Sequence, residues 1–165
     1  MLKKTNQMEI KIVEQQDLKQ ILELQYKAFY GQALIYNDFK LPPLTQTLDE
    51  ILKECVHKTI YKLEMDGKIV ASIRCAIEND ILHIERLIVD PEYQNQGIGT
   101  SIMKEIENFY SNTVKGYALF TGHKSEKNLH LYKKLGYKEK RQEPLTDNCL
   151  LVYMEKAHHL TIEKT

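Results

Sequence analysis

The sequence predicts an α/β layered domain: a mixed, mostly antiparallel central sheet of about seven strands with about four helices on its faces. Three observations predict it. Apolar residues recur at helical spacing as far as Val56 and switch to alternation from Tyr61. Two turn dipeptides, Asp66-Gly67 and Asn79-Asp80, cut the alternating stretch into three runs, the pattern of an antiparallel meander. A helix-period segment then separates the third run from a further strand, and strand–helix–strand in one sheet implies a right-handed crossover and a parallel pair.

Each element has its own signal. Residues 9–13 read as a short first strand. Asp17, with Gln20 three residues on, has the form of a capping box, and Leu18, Ile21, Leu22, Ala28 and Phe29 share one helical face beyond it. Residues 30–43 are expected to be irregular, because Pro42-Pro43 blocks helix there. Thr47 and Glu50 make a second capping box, opening a stripe of Leu48, Ile51, Leu52, Cys55 and Val56. Residues 61–65, 69–77 and 81–89 supply the meander. A helix over residues 97–111 turns Ile98, Ile102, Met103, Ile106, Phe109 and Tyr110 inward, and residues 117–121 complete the crossover. A last helix carries Leu129, Leu131, Tyr132 and Leu135, with Gly136 closing it. Strands around residues 141–147 and 149–154 finish the sheet.

Composition removes several function classes. The chain has 165 residues, enough for one domain with one substantial core. Its 23 basic and 23 acidic residues cancel, so it lacks the basic excess that general nucleic-acid or membrane-surface binding calls for. Cys55, Cys75 and Cys149 have no short mutual spacing; they read as reduced thiols on a largely buried scaffold rather than a disulfide framework or metal site. His158-His159 lacks a third ligand pattern. Residues 1–7 lead into no apolar segment, and no apolar run approaches the ~18 residues of a membrane span. A cytoplasmic address is the expectation.

The chemistry concentrates between the third meander strand and its helix. Gly97 and Gly99 have no Cβ, so the backbone there can turn tightly and come close to an anion. The unpaired first-turn amides and the positive dipole end of the helix attract phosphate oxygens. Two glycines alone leave a plain strand–helix connection open. A Walker A loop does not fit, since no lysine follows Gly99; nor does a dinucleotide fingerprint, since Ile102 stands where a third small residue belongs.

Residues 86–100, RLIVDPEYQNQGIGT, closely resemble the acetyl-CoA signature of the GCN5-related N-acetyltransferase (GNAT) superfamily, Gln/Arg-x-x-Gly-x-Gly/Ala, met here by Gln94, Gly97 and Gly99. Residues 125–137, SEKNLHLYKKLGY, resemble that family's Leu-Tyr-x-Lys-Leu-Gly-Phe/Tyr helix, at the expected separation. The resemblance covers residues 8–157, leaving a tail at 158–165, and implies the acyl-CoA N-acyltransferase fold with a splayed parallel pair. It implies acetyl-CoA as co-substrate and no metal. Pantetheine would run along Leu87, Ile88 and Val89, and the diphosphate would sit on the amides of Gln94, Asn95, Gln96, Gly97, Ile98, Gly99 and Thr100. Asn128 and Tyr132 would lie near the thioester; Ser125 stands where many relatives have asparagine.

Transfer to an amine needs a neutral amine and a protonated leaving thiolate. Tyr132 is the candidate acid, a core tyrosine being the alternative. Glu85, then His83, are candidates for the base: two apart on a strand, they are expected to share a face with Leu87 and Val89, and a salt bridge or solvated face would explain them as well. His123 either lines the site or sits in a surface turn. Acceptor candidates lie between the first two helices: Tyr30, Tyr36 and Asp38, with Tyr26, Asn37 and Phe39. The expected partner is a small-molecule or peptide primary amine, without nucleic acid or membrane, and the assembly a monomer or homodimer. A non-catalytic acyl-CoA-binding sensory module is the competing reading.

Overall fold

A computed structural model describes residues 8–158. Strand β1 (Ile10–Ile12) leads through a single 3-10 turn into α1 (Leu18–Tyr36), followed by the short α2 (Pro42–Thr45) and α3 (Leu48–Glu54). The meander is β2 (Thr59–Met65), β3 (Lys68–Glu78) and β4 (Ile81–Val89). The crossover runs through α4 (Ile98–Tyr110) to β5 (Gly116–Gly122), and α5 (Glu126–Lys134), β6 (Lys138–Thr146) and β7 (Cys149–Ala157) close the chain. The seven strands are ordered β1-β2-β3-β4-β5-β7-β6. Among the described residues, only β4 and β5 pair in parallel.

Turn chemistry sets the meander. Asp66 and Gly67 have φ of 54° and 75°, and Asn79 and Asp80 have 52° and 63°, so both hairpins turn through left-handed pairs that match the sheet twist. Two cores follow. On one face α4 and α5 pack against β3, β4, β5 and β7 through Ile102, Met103, Ile106, Ile73, Leu82, Leu119 and Met154. On the other, α1 and α3 pack Leu18, Ile21 and Ile51 onto Ile60, Ile69 and Ile88. Each such buried side chain contributes roughly 1.5–3 kcal/mol. That burial fixes the two helices flanking the parallel pair.

The β4–β5 ladder is short. It joins Ile81–Ile84 to Gly116–Leu119, and beyond it the strands separate. A bulge lies just beyond the last paired residue: Ser72 faces Ile88 but Arg74 faces Glu85, so β4 carries one extra residue, and Arg86 takes φ 52°. Alternation inverts across it. Leu82 and Ile84 belong to the α4–α5 core before the bulge; after it Leu87 and Val89 pack there, and Ile88 faces α1.

Several local expectations need correction. Glu14 and Asp17, not Asp17 and Gln20, form the first capping box, and it closes the 3-10 turn. Helix α1 runs seven residues past Phe29, because Ala33 and Tyr36 continue its buried stripe. Pro42 does not block helix but opens α2 at the first position, where its missing N–H costs nothing. The Thr47–Glu50 box holds. Leu48, Val56 and Phe109 are exposed, as is Cys55, while Cys75 and Cys149 are buried. The His158 amide donates to the Lys115 carbonyl and its Nε2 lies 2.6 Å from the Ser111 carbonyl oxygen. His159 lies outside the described residues.

Candidate active site

Asp90 turns the chain off β4. It is 1% exposed; its carboxylate accepts from the Glu92 amide at 3.0 Å and pairs with Lys27 at 3.0 Å and Lys68 at 3.3 Å. Burial alone would raise its pKa, but the Glu92 amide and the two lysines outweigh that and hold the carboxyl below its usual value. A depressed carboxyl contributes stability above its unfolded pKa of ~3.9, lost as pH falls through the folded value. Asp90→Asn is therefore expected to lower the neutral-pH melting temperature by about 2–6 °C, a loss of roughly 1–1.5 kcal/mol. The difference from the parent should shrink below about pH 4, which thermal melts across pH 3–7 will read.

Beyond Asp90, Asn95 (φ 63°) and Gly97 (φ 78°) bend the chain into α4. Among the described residues no carbonyl or side chain accepts from the amides of residues 94–100; the next amide, Ser101, bonds to the Gly97 carbonyl at 3.0 Å. Gln94 braces the loop, its Nε2 donating to the Val89 carbonyl at 3.1 Å. A Cβ at Gly99 would touch Leu131 at 3.6 Å and Leu87 at 3.9 Å, ordinary contacts that leave room for it. Seven adjacent open donors at a helix mouth form an anion cradle.

A cleft of about 300 Å³ runs from this cradle along the opened edge of β4. Leu87, Ile88, Val89, Gln94, Asn95, Gly97, Ile98, Gly99, Thr100 and Asn128 line it; Gln96 does not. The sequence reading missed the α1 wall of Ala28, Phe29 and Gln32, and Tyr93, Lys127 and Leu131. Lys127 was detectable as a cation beside Asn128 in the first turn of α5; the α1 residues looked like ordinary core stripe.

Where β4 and β5 part, the cleft meets a second cavity of about 190 Å³, with Phe29, Gln32, Leu87 and Asn128 lining both. Its walls are mostly apolar, from α1, α2, the ends of β5 and β7, and Leu145. Tyr36 stands in it, buried, with its hydroxyl 2.9 Å from Ser125 Oγ and accepting from the Lys124 amide at 2.8 Å. Ser125 Oγ also donates to Gln32 Oε1 at 2.7 Å, so the serine locks α1 to the start of α5. Gly122 has no room for a Cβ beside the Tyr36 hydroxyl. His123 is neither a site wall nor a free surface residue: its Nδ1 accepts from the Leu150 amide at 2.9 Å and its ring packs on Tyr36 at 5.6 Å. Tyr30 lies exposed against Phe39, and Asp38 accepts from the Lys40 amide; neither lines the cavity.

His83 and Glu85 do not share a face with Leu87 and Val89, because the bulge at Arg86 inverts the pleat between them. They line a separate hollow with Arg141 and Tyr153, and Glu85 accepts from Lys58 Nζ at 2.5 Å. Tyr132 faces the α4–α5 core and lines neither cavity, 5% exposed and edge-on to Tyr137. Burial pushes its phenol well above the usual range, and no hydrogen bond or charge acts on it besides. The hydroxyl stays protonated and uncommitted. Among the described residues no cluster of three metal-ligating side chains occurs, and no helix is long and apolar enough to cross a membrane.

A helix-mouth anion cradle, an opened parallel pair and a second cavity at its inner end give the site the geometry to take an extended anionic ligand. Residues 36–158 match the family model described as an acetyltransferase (GNAT) domain. S-(2-succino)cysteine N-acetyltransferase of Bacillus subtilis is 26% identical over 88% of this chain and 93% of its own. The ribosomal-protein-S18-alanine N-acetyltransferase of Escherichia coli superposes with a TM-score of 0.77 at 19% identity, over 95% of this chain and 97% of that one. PaiA N-acetyltransferase of Thermoplasma acidophilum, solved with coenzyme A, gives 0.71 at 19% identity, over 92% and 99%. The chain belongs to the GNAT acetyltransferase family and is an acetyl-CoA-dependent N-acetyltransferase.

Proposed function

We propose that this enzyme moves the acetyl group directly from acetyl-CoA to the primary amine of a small molecule or peptide, without an acyl-enzyme. One observation carries the reading: the cleft below the open amides and the cavity beside Tyr36 share Phe29, Gln32, Leu87 and Asn128. A thioester at the end of the first then meets an amine held in the second. Cys75 lies in the core, Cys149 beside the acceptor space and Cys55 at the surface, and none lines the cleft. The Bacillus relative is named for a cysteine derivative as acceptor, which agrees with a compact cavity.

Residue roles follow from placement. The amides of residues 94–100 hold the diphosphate and Lys127 adds charge beside them. Tyr132 lines neither cavity; its role as proton donor to the departing thiolate comes from the family's helix motif, with its uncommitted phenol one residue from Leu131 of the cleft wall. Among the described residues no carboxylate or histidine lines the acceptor cavity, so the amine loses its proton to water rather than to Glu85, whose carboxylate is taken by Lys58. Release of free thiol from acetyl-CoA across a panel of amines tests the function. Turnover is expected with one small-amine class, with kcat/KM rising with pH toward the acceptor's own pKa. Glu85→Gln should leave the shape of that profile unaltered, and a shifted limb would restore Glu85 as base. Tight CoA binding without release from any amine would instead favour a sensory module.

A further inference from the structure

Among the described residues, the acceptor cavity contains one charged side chain, Arg86, and that charge is unanswered. Its Nη1 is buried without a hydrogen-bond partner. The carboxylates near it are already engaged: Glu54 binds Arg74 at 2.5 Å and Glu85 binds Lys58 at 2.5 Å. Three cations, Arg74, Arg86 and Lys58, thus face two acids, Glu54 and Glu85. Burial, with Arg74 nearby, pushes the Arg86 pKa down to about 10, which leaves it charged at neutral pH. An unpaired buried guanidinium opposes folding.

The backbone points the same way. Arg86 is the extra residue of the β4 bulge and holds φ 52° in mid-strand, a conformation costing an L-residue roughly 1–2 kcal/mol. A bulge re-aims a side chain. Here it places Arg86 in the cavity wall, next to Leu87, where cleft and cavity join. Strain and an unpaired charge coincide in one side chain at the mouth of the reaction chamber.

We propose that the acceptor is a small amino acid with an apolar side chain, and that Arg86 receives its carboxylate. The planar fork suits a carboxylate through two parallel hydrogen bonds, and the ligand's charge completes the balance the protein leaves open. Leu41, Pro42, Pro43, Phe120 and Leu151 offer the apolar remainder of the pocket. Holding the carboxylate at Arg86 sets the adjacent amine toward Asn128 and the cleft. The assignment rests on the acetyltransferase reading, since it names that reaction's acceptor.

Matched probes test it: L-methionine and L-phenylalanine against L-methioninamide and L-phenylalaninamide, with thiol release from acetyl-CoA as readout. The free acids should exceed their amides in kcat/KM by at least about 10-fold, the worth of one lost charge-assisted hydrogen bond. Arg86→Gln should bring that ratio toward one, mainly through the KM of the acids, and Arg86→Lys should keep part of it. A second arm needs no turnover. The free acids should raise the melting temperature of CoA-saturated parent protein more than the amides do, and that difference should vanish in Arg86→Gln. Equal handling of acids and amides by the parent, or a preference surviving in Arg86→Gln, overturns the proposal. Release with none of these probes, together with a carboxylate-specific thermal shift, would count against transfer while supporting the Arg86 site.

Discussion

Tyr132→Phe is expected to lower kcat about 100-fold or more, the usual contribution of a positioned general acid, while CoA affinity and melting temperature hold. The phenol lies on the core side of α5, and Asn128 and Leu131 of the same helix line the cleft. Burial is the one influence on its pKa and raises it, so it remains a proton donor through the neutral range and adds no limb to the pH profile there. Because no hydrogen bond holds the hydroxyl, phenylalanine removes no structural contact, and ring packing against Tyr137 survives. Stopped assays and melts on one preparation check both halves. An unchanged kcat in a stable variant would make Tyr132 a packing residue.

Gly97→Val is expected to weaken CoA binding about 10–100-fold, or roughly 1.4–2.8 kcal/mol. At φ 78° a β-branched residue is badly strained. A Cβ there would meet nothing within 4 Å, so the damage is to the backbone: relaxing φ swings the following amides off a common target. Gly67→Val is the matched control, since Gly67 has φ 75° and open space around it but sits in the β2–β3 hairpin. Both variants should lose similar stability. Calorimetry should find weakened CoA binding in Gly97→Val alone.

Elements with local causes were legible before any coordinates. Asp66-Gly67, Asn79-Asp80, the Thr47–Glu50 box and the Gly97–Gly99 entry into α4 each depend on a few adjacent residues, and each holds in the structure. What the sequence hid depends on register or tertiary contact. The bulge at Arg86 leaves no mark on a run of apolar and polar residues, yet it moves Glu85 and His83 off the face of Leu87 and puts Arg86 in the wall of the second cavity. Ser125 looked like a departure from the family pattern. Its oxygen binds Tyr36 and Gln32, on a helix roughly ninety residues earlier in the chain, a partnership no local spacing reports. The α1 wall of the cleft was equally silent, because Phe29 and Gln32 differ from neighbouring stripe residues only in what the sheet opening exposes to them.

The open amides between β4 and α4 are tested most directly by titrating 15N-labelled protein with CoA and, separately, with pantetheine, which lacks the diphosphate. The Gly97, Gly99 and Thr100 amide signals are expected to shift strongly with CoA and little with pantetheine, while Leu87 and Val89 respond to both. If CoA binds and those three signals stay in place, the helix mouth does not hold the diphosphate and the placement of the cofactor is wrong.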